Sequence, residues 1–162
     1  MKTALTAVLL LAILAGPAHG QELIKLSLDD LDAVTPRIEA DASMKTEGRQ
    51  ALKITTHWPA TIHLGEVTGI EAENAKLIYR AKVRSDLKGT VFLEMWAHLD
   101  GGQYFSKGIN DALEGTSDWK TLATPFMFQK GQNPDKITLN LVINGTGTVW
   151  VDEIVLVKEP LG

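Results

Sequence analysis

The sequence predicts an all-β, antiparallel sandwich. Apolar and polar residues alternate in short runs, and Gly, Asp, Asn and Pro separate the runs. Alternation sends successive side chains to opposite faces of a strand, and these four residue types favour turns. Beyond residue 20, no stretch keeps the apolar period of about 3.6 residues that a helix would show. We therefore expect roughly eight or nine strands and less than about a tenth helix.

The first 20 residues are predicted to be a signal peptide. Lys2 supplies a positive charge, an apolar run follows it, and Ala18-His19-Gly20 offers small residues to a signal peptidase. The apolar run is shorter than the about 20 residues that span a bilayer. We expect residues 1–20 to be removed and residues 21–162 to form one domain, secreted or periplasmic, without a membrane span.

Charge and cysteine content narrow the function classes. Without residues 1–20 the chain carries 15 basic and 20 acidic side chains, a net charge of −5, and it has no basic run. This balance argues against nucleic acid as a partner. The chain has no Cys, so its apolar core must supply the stability that disulfides give many exported proteins.

Eight segments before residue 130 alternate in the manner of strands. They are Leu23–Leu28, Arg37–Asp41, Ala51–Trp58, Thr61–Val67, Leu77–Ser85, Thr90–Leu99, Tyr104–Lys107 and Trp119–Phe128. Asp86-Leu87-Lys88-Gly89 is predicted to be a turn. Residues 109–118 are predicted to be a loop with at most one helical turn, and Pro125 favours an edge position for its strand.

The stretch from residue 135 to residue 157 is predicted to be a hairpin. Its strands, Lys136–Ile143 and Val149–Val157, are joined by Asn144-Gly145-Thr146-Gly147, which has the chemistry of a tight turn. In the second strand the predicted buried phase passes from Val149 and Val151 to Ile154 and Leu156. This change at Asp152-Glu153 predicts a β-bulge.

Several segments, in this order, resemble the jelly-roll carbohydrate-binding modules of the galactose-binding-like superfamily, especially those attached to cellulases and xylanases. They are EGRQALKI (Glu47–Ile54), AKLIYRAKVRS, TVFLEMWAHLDG, SDWKTLATPFMF and GTGTVWVDEIVLV. The resemblance covers about Ile38 to Leu156 and implies an exported, non-catalytic module that binds a polysaccharide or other glycan on the concave face of one sheet. The N-terminal stretch, Glu22-Leu23-Ile24, departs from the family's pattern.

The resemblance also implies which strands share a sheet. It places Ala51–Trp58, Lys136–Ile143, Leu77–Ser85 and Thr90–Leu99 in one sheet, and Arg37–Asp41, Val149–Val157, Thr61–Val67 and Trp119–Phe128 in the other. The outward residues of the first sheet then form the candidate glycan site: Trp96 as the stacking platform, with Arg80, Glu94, His98, Asn140, Phe92, Lys82 and His57 around it.

Two alternatives stay open for this set. Trp96 and Phe92 are equally consistent with packing under a loop. Arg80, Lys82 and Arg84 also fit a solvated strand face with cross-strand ion pairs. Trp119, at the start of a strand, is predicted to lie in the core.

A calcium site is a further expectation. Asp152 and Glu153 at the bulge could bind Ca²⁺ together with Asp41 or Glu22, since Ca²⁺ takes several oxygen ligands. The alternative is a solvated acidic bulge. His57, His63 and His98 lack the short spacing of zinc ligands.

The sequence does not favour an enzyme. It lacks Gly-x-Ser-x-Gly and any Cys nucleophile. Tyr104-Phe105-Ser106-Lys107-Gly108 and Thr61-Ile62-His63 resemble motifs of small jelly-roll alginate lyases, but the Lys is displaced by one position. An envelope or extracellular protein-interaction or structural module without a sugar ligand is the main alternative to the glycan-binding function.

Overall fold

The computed structural model describes residues 36–161, which form seven strands in antiparallel pairs and one 3₁₀ turn at Ile109–Asp111. The strands are β1 (Arg37–Asp41), β2 (Ala51–Thr56), β3 (Ala60–Thr68), β4 (Ala75–Leu99), β5 (Gly102–Lys107), β6 (Leu113–Phe128) and β7 (Lys136–Pro160). The all-β prediction is confirmed. Within these residues no helix is long and apolar enough to cross a membrane. The predicted strand Leu23–Leu28 and the signal peptide lie outside the described residues.

The fold is built on a two-stranded ribbon of β4 and β7. Each is 25 residues long, and they pair from Ala75 opposite Pro160 to His98 opposite Lys136. The start of β4 and the end of β7 are flanked by β6 and β2, and β1 pairs with β2. The end of β4 and the start of β7 are flanked by β5 and β3. The ribbon is therefore part of two layers, whose strand orders are β1-β2-β7-β4-β6 and β3-β7-β4-β5.

Both predicted turns inside this ribbon are wrong. Asp86 to Gly89 and Asn144 to Gly147 do not reverse the chain; they face each other, with Asp86 opposite Thr148 and Gly89 opposite Gly145. Where the sequence suggests two strands joined by a turn, the structure has one strand that passes from layer to layer. The predicted terminal hairpin is thus a single strand, β7.

Glycines make this passage possible. A Cβ on Gly145 would lie 2.2 Å from the carbonyl oxygen of Lys88, and one on Gly89 would lie 2.1 Å from that of Asn144. A Cβ on Gly147 would likewise lie 2.3 Å from the carbonyl oxygen of Asp86. Gly89 and Gly147 also have φ values of 139° and 133°, which other residues rarely adopt. The two backbones approach too closely for any side chain.

One apolar core lies between the layers. The predicted inward residues of the first half of β4 are all buried: Leu77, Tyr79, Ala81 and Val83. So are those of its second half: Val91, Leu93, Met95 and Ala97. Both rows belong to one hydrophobic cluster, which shows that the layers face each other. Burial raises the pKa of the Tyr79 hydroxyl, which has no hydrogen-bond partner in the described part of the chain.

The predicted β-bulge is confirmed. Arg80 pairs with Val155 and Lys82 pairs with Asp152, so two residues of β7 lie opposite the single residue of β4 between these pairs. One of the two, Glu153, has a φ of 49°. The buried phase shifts from Val151 to Leu156, which packs on the core. Ile154, predicted to be buried, is exposed.

The predicted grouping of strands is wrong because the ribbon changes layer. Ala51–Thr56 pairs with residues 147–151 of β7, whereas residues 136–143 pair with β3. The two halves of β4, predicted to share one sheet face, therefore contribute to different layers. Trp119 is half-buried and lies outside the core cluster.

Gly145→Ala should strongly destabilise the protein. The new methyl group would press on the backbone of Lys88, so we expect a loss of about 3 kcal/mol or more in the free energy of unfolding. Urea denaturation measures it. Gly65→Ala is the matched control, since its Cβ would meet nothing within 4 Å. Equal stability of the two variants would contradict a sterically closed passage.

Candidate functional site

The outer face of the β3-β7-β4-β5 layer carries aromatic and polar side chains in cross-strand rows. One row joins His63, Asn140, Glu94 and Lys107 from four strands. The next contains Thr138, Trp96 and Phe105, and a third contains His98 and Gln103. We call these residues, together with Phe92, the aromatic face. Of the predicted glycan-site residues, Trp96, Glu94, His98, Asn140 and Phe92 lie here.

An aromatic pair stands at the centre of this face. The ring centroids of Trp96 and Phe105 are 6.1 Å apart with an interplanar angle of 40°, and the ammonium of Lys107 lies 5.0 Å from the Phe105 centroid. Phe105 is 58% exposed. The sequence interpretation missed it, although its place in an edge strand could have suggested it. The pair offers an apolar platform at the surface.

Glu94 fixes the orientation of the Trp96 ring. It is only 5% exposed and accepts a hydrogen bond of 2.5 Å from the indole N–H of Trp96. The amide of Asn140 and the ammonium of Lys107 each lie 3.5 Å from its carboxylate. Because its oxygens are enclosed and have donors, Glu94 orients Trp96 and does not itself project to a ligand. It was predicted to contact the ligand directly.

His98 supplies a polar edge to the platform. Its Nε2 lies 3.2 Å from the Thr138 hydroxyl, and its Nδ1 lies 3.5 Å from the Gln103 amide. Phe92 points to the same side but is buried, so for this residue the packing alternative holds. Trp96 is half-buried and Met95 is fully buried, so the predicted phase of this strand is confirmed.

Arg80, Lys82 and His57 do not join the aromatic face. Arg80 and Lys82 lie on the outer face of the other layer, in ion pairs with Glu159 (3.4 Å) and Glu153 (2.7 Å). The hydrogen bond between Lys82 and Glu153 raises the pKa of Lys82 and lowers that of Glu153. These ion pairs agree with the second interpretation of the sequence, a solvated strand face with cross-strand ion pairs. His57 lies just beyond β2 and is exposed.

The carboxylates predicted to bind calcium are occupied by hydrogen-bond donors. Asp152 accepts backbone N–H bonds from Thr46 (2.7 Å) and Glu47 (3.1 Å), and the Thr46 hydroxyl also donates to it (2.9 Å). Asp41 accepts from the hydroxyl of Ser43 and the indole of Trp150.

Such a donor-lined environment does not fit a cation. Among residues 36–161 no group of three or more acidic, His or Cys side chains is placed to hold a metal ion. Glu22 lies outside the described residues. We therefore derive no role for calcium.

His63 of one lyase-like motif and Tyr104 of the other lie on different faces. His63 lies opposite Asn140 on the aromatic face. Tyr104 lies opposite the buried Ala97, so it belongs to the other phase of β5. The acid–base pair that the lyase alternative needs is not formed by these residues.

Comparison with solved structures finds β-sandwich modules. The CBM22-1 xylan-binding domain of Paenibacillus barcinonensis Xyn10C aligns over 78% of this chain and 83% of its own, with 14% identity and a TM-score of 0.57. A family 16 carbohydrate-binding module aligns over 74% and 84%, with 15% identity and a TM-score of 0.53. A cyclase from Fischerella sp. TAU aligns over 76% and 70%, with 17% identity and a TM-score of 0.57.

These similarities establish the fold. At such low identity the chain shares the jelly-roll β-sandwich of carbohydrate-binding modules, and a cyclase shares it too. No family model matches the chain, and no curated protein matches it.

Asp41→Asn should reduce stability at neutral pH but not in acid. Hydrogen bonds from Ser43 and Trp150 hold the pKa of Asp41 well below its usual range. A group with a lowered pKa stabilises the fold above its unfolded value of about 3.9, and this contribution is lost as the pH falls toward the lowered value. The melting temperature should therefore drop at pH 7, and the difference should shrink below about pH 4.

Asp135→Asn is the control, since Asp135 is exposed and its side chain makes no hydrogen bond or ion pair within residues 36–161. A difference between Asp41→Asn and the parent that stayed constant from pH 7 to acid would contradict the role of the charge.

Proposed function

We propose that this chain is an exported, non-catalytic module that binds a polysaccharide on the aromatic face. The observation that carries the proposal is the Trp96–Phe105 pair, held at the surface by Glu94 and bordered by polar side chains. An aromatic ring covers the apolar face of a pyranose, and neighbouring amides, hydroxyls and imidazoles bond its hydroxyls.

The charges of the aromatic face suit an uncharged sugar. Lys107 is paired with Glu94, and Lys136 at the margin is 2.9 Å from Glu66. The hydrogen bond from Lys136 lowers the pKa of Glu66. Because each cation has an acidic partner, the face offers little net attraction to an ionic ligand. A neutral polysaccharide is the ligand class that we infer.

The neighbours and the sequence support the same function. The solved structures with a similar fold include a xylan-binding domain and a family 16 carbohydrate-binding module. The predicted signal peptide favours a location outside the cytoplasm, where polysaccharides are met. The separation of His63 and Tyr104 supports a module that binds without cleaving.

Trp96→Ala should abolish or strongly weaken glycan binding while the domain stays folded. Removing one stacking ring costs about 1–3 kcal/mol, by analogy with bases stacked on aromatic side chains, which is about tenfold or more in affinity. Affinity electrophoresis in gels containing xylan, mannan or β-glucan measures the change, and circular dichroism verifies the fold.

Tyr104→Ala is the matched control because Tyr104 is an exposed aromatic residue of the same edge strand in the opposite phase. It should bind like the parent. Equal weakening by both substitutions would contradict a site centred on Trp96. Failure of the parent to bind any glycan would favour the protein-interaction module, for which the exposed strand β5 with Tyr104 and Phe105 is the best candidate surface.

A further inference from the structure

A cleft lies where the ribbon passes between the layers, apart from the aromatic face. We call it the crossover cleft; its volume is about 460 Å³, within the range of about 300–1,000 Å³ typical of small-molecule sites. It is lined by Thr55, Thr56, His57, Asp86, Leu87, Lys88, Thr116, Thr146 and Gly147. None of these residues belongs to the aromatic face.

Four of the nine residues that line the crossover cleft are threonines. The hydroxyls of Thr55 and Thr148 lie 3.4 Å apart, and the Thr116 hydroxyl donates to the Asp86 carboxylate at 2.9 Å. These threonines and Asp86 come from β2, β4, β6 and β7, so their positions are fixed by cross-strand pairing.

The walls of the cleft are held by two local constraints. Gly147 lies against the backbone of Asp86 with no room for a side chain. The Thr56 hydroxyl donates to the carbonyl of Trp58 at 2.6 Å and accepts from its N–H at 3.2 Å. These bonds fix the turn that carries His57 to the rim. The site is therefore preformed, which lowers the entropic cost of binding.

Two side chains at the rim of the cleft, Lys88 and His57, lack a partner among the described residues. Arg80, Lys82 and Arg84 each have an acidic partner. Both rim side chains are exposed, and neither makes a hydrogen bond or ion pair with another residue in the described part of the chain. Asp86, the acid of the cleft, already accepts from Thr116. An unpaired ammonium beside several hydroxyls suits a ligand with both a carboxylate and hydroxyl groups.

We propose that the crossover cleft is a second ligand site, and that it binds a sugar residue bearing a carboxylate, a hexuronate. Lys88 and His57 meet the carboxylate, while Thr146, Thr55 and Asp86 bond the ring hydroxyls. The lining contains no aromatic ring besides the imidazole of His57, so recognition depends on charge and hydrogen bonds. The crossover cleft favours an acidic sugar, whereas the aromatic face suits a neutral one.

Titration calorimetry of residues 21–162 with trimers of galacturonate and of mannuronate tests the proposal. At least one trimer should bind, and Lys88→Gln should weaken that binding about tenfold through loss of a charge-assisted hydrogen bond. Lys120→Gln, which removes an exposed lysine of β6 outside the cleft, should leave it unchanged. Methyl esterification of the trimer removes the charge and keeps the size, so it should weaken binding as much as Lys88→Gln does.

Binding of the ester as tight as that of the acid, unchanged affinity in Lys88→Gln, or no binding of either trimer would each overturn the proposal. Trp96→Ala separates the two sites. It should reduce binding of a neutral glycan and leave uronate binding intact, so failure at one site does not imply failure at the other.

Discussion

The close approach of two backbones at the centre of the ribbon is the constraint on which this structure depends. At Gly89, Gly145 and Gly147 the carbonyl groups of the opposite strand occupy the space of a side chain. Two 25-residue strands can therefore pass from one layer to the other while they stay paired. The continuous ribbon contributes to both layers that enclose the core. Because its two halves belong to different layers, their outward-facing residues lie on different surfaces of the molecule.

This division gives the molecule two outer faces with different chemistry. Around Arg80 and Lys82 the cations have acidic partners, and such exposed ion pairs contribute little energy beyond solvation. On the other layer, burial of Glu94 beneath Trp96 is costly unless its carboxylate is hydrogen-bonded, and the indole, the amide and the ammonium around it meet that need. A buried carboxylate that fixes a half-buried aromatic ring at the surface is an arrangement suited to a preorganised binding surface.

The local pattern of the fold could be predicted from the sequence, but its continuity could not. Burial forces alternation, so the inward and outward phases around Met95 and Trp96 follow directly from it. The sequence Asn144-Gly145-Thr146-Gly147 is compatible with a hairpin turn and also with a close approach of two backbones. Both need glycine, which has no Cβ and adopts positive φ readily. Only the pairing with Asp86 to Gly89 distinguishes them. The wrong choice misplaced Arg80, Lys82 and His57, and Phe105 was missed because its partner Trp96 lies on another strand.

The most direct test of the glycan-binding proposal follows the indole N–H signals of the four tryptophans by NMR. Residues 21–162 would be titrated with the neutral oligosaccharide that they bind most tightly on a glycan array. Trp58, Trp119 and Trp150 lie outside the aromatic face, whereas the Trp96 indole is bound to Glu94 within it. The proposal predicts a saturable shift of the Trp96 signal and small changes in the other three. A stationary Trp96 signal while another indole shifts, or the absence of any glycan that perturbs it, would contradict the proposal.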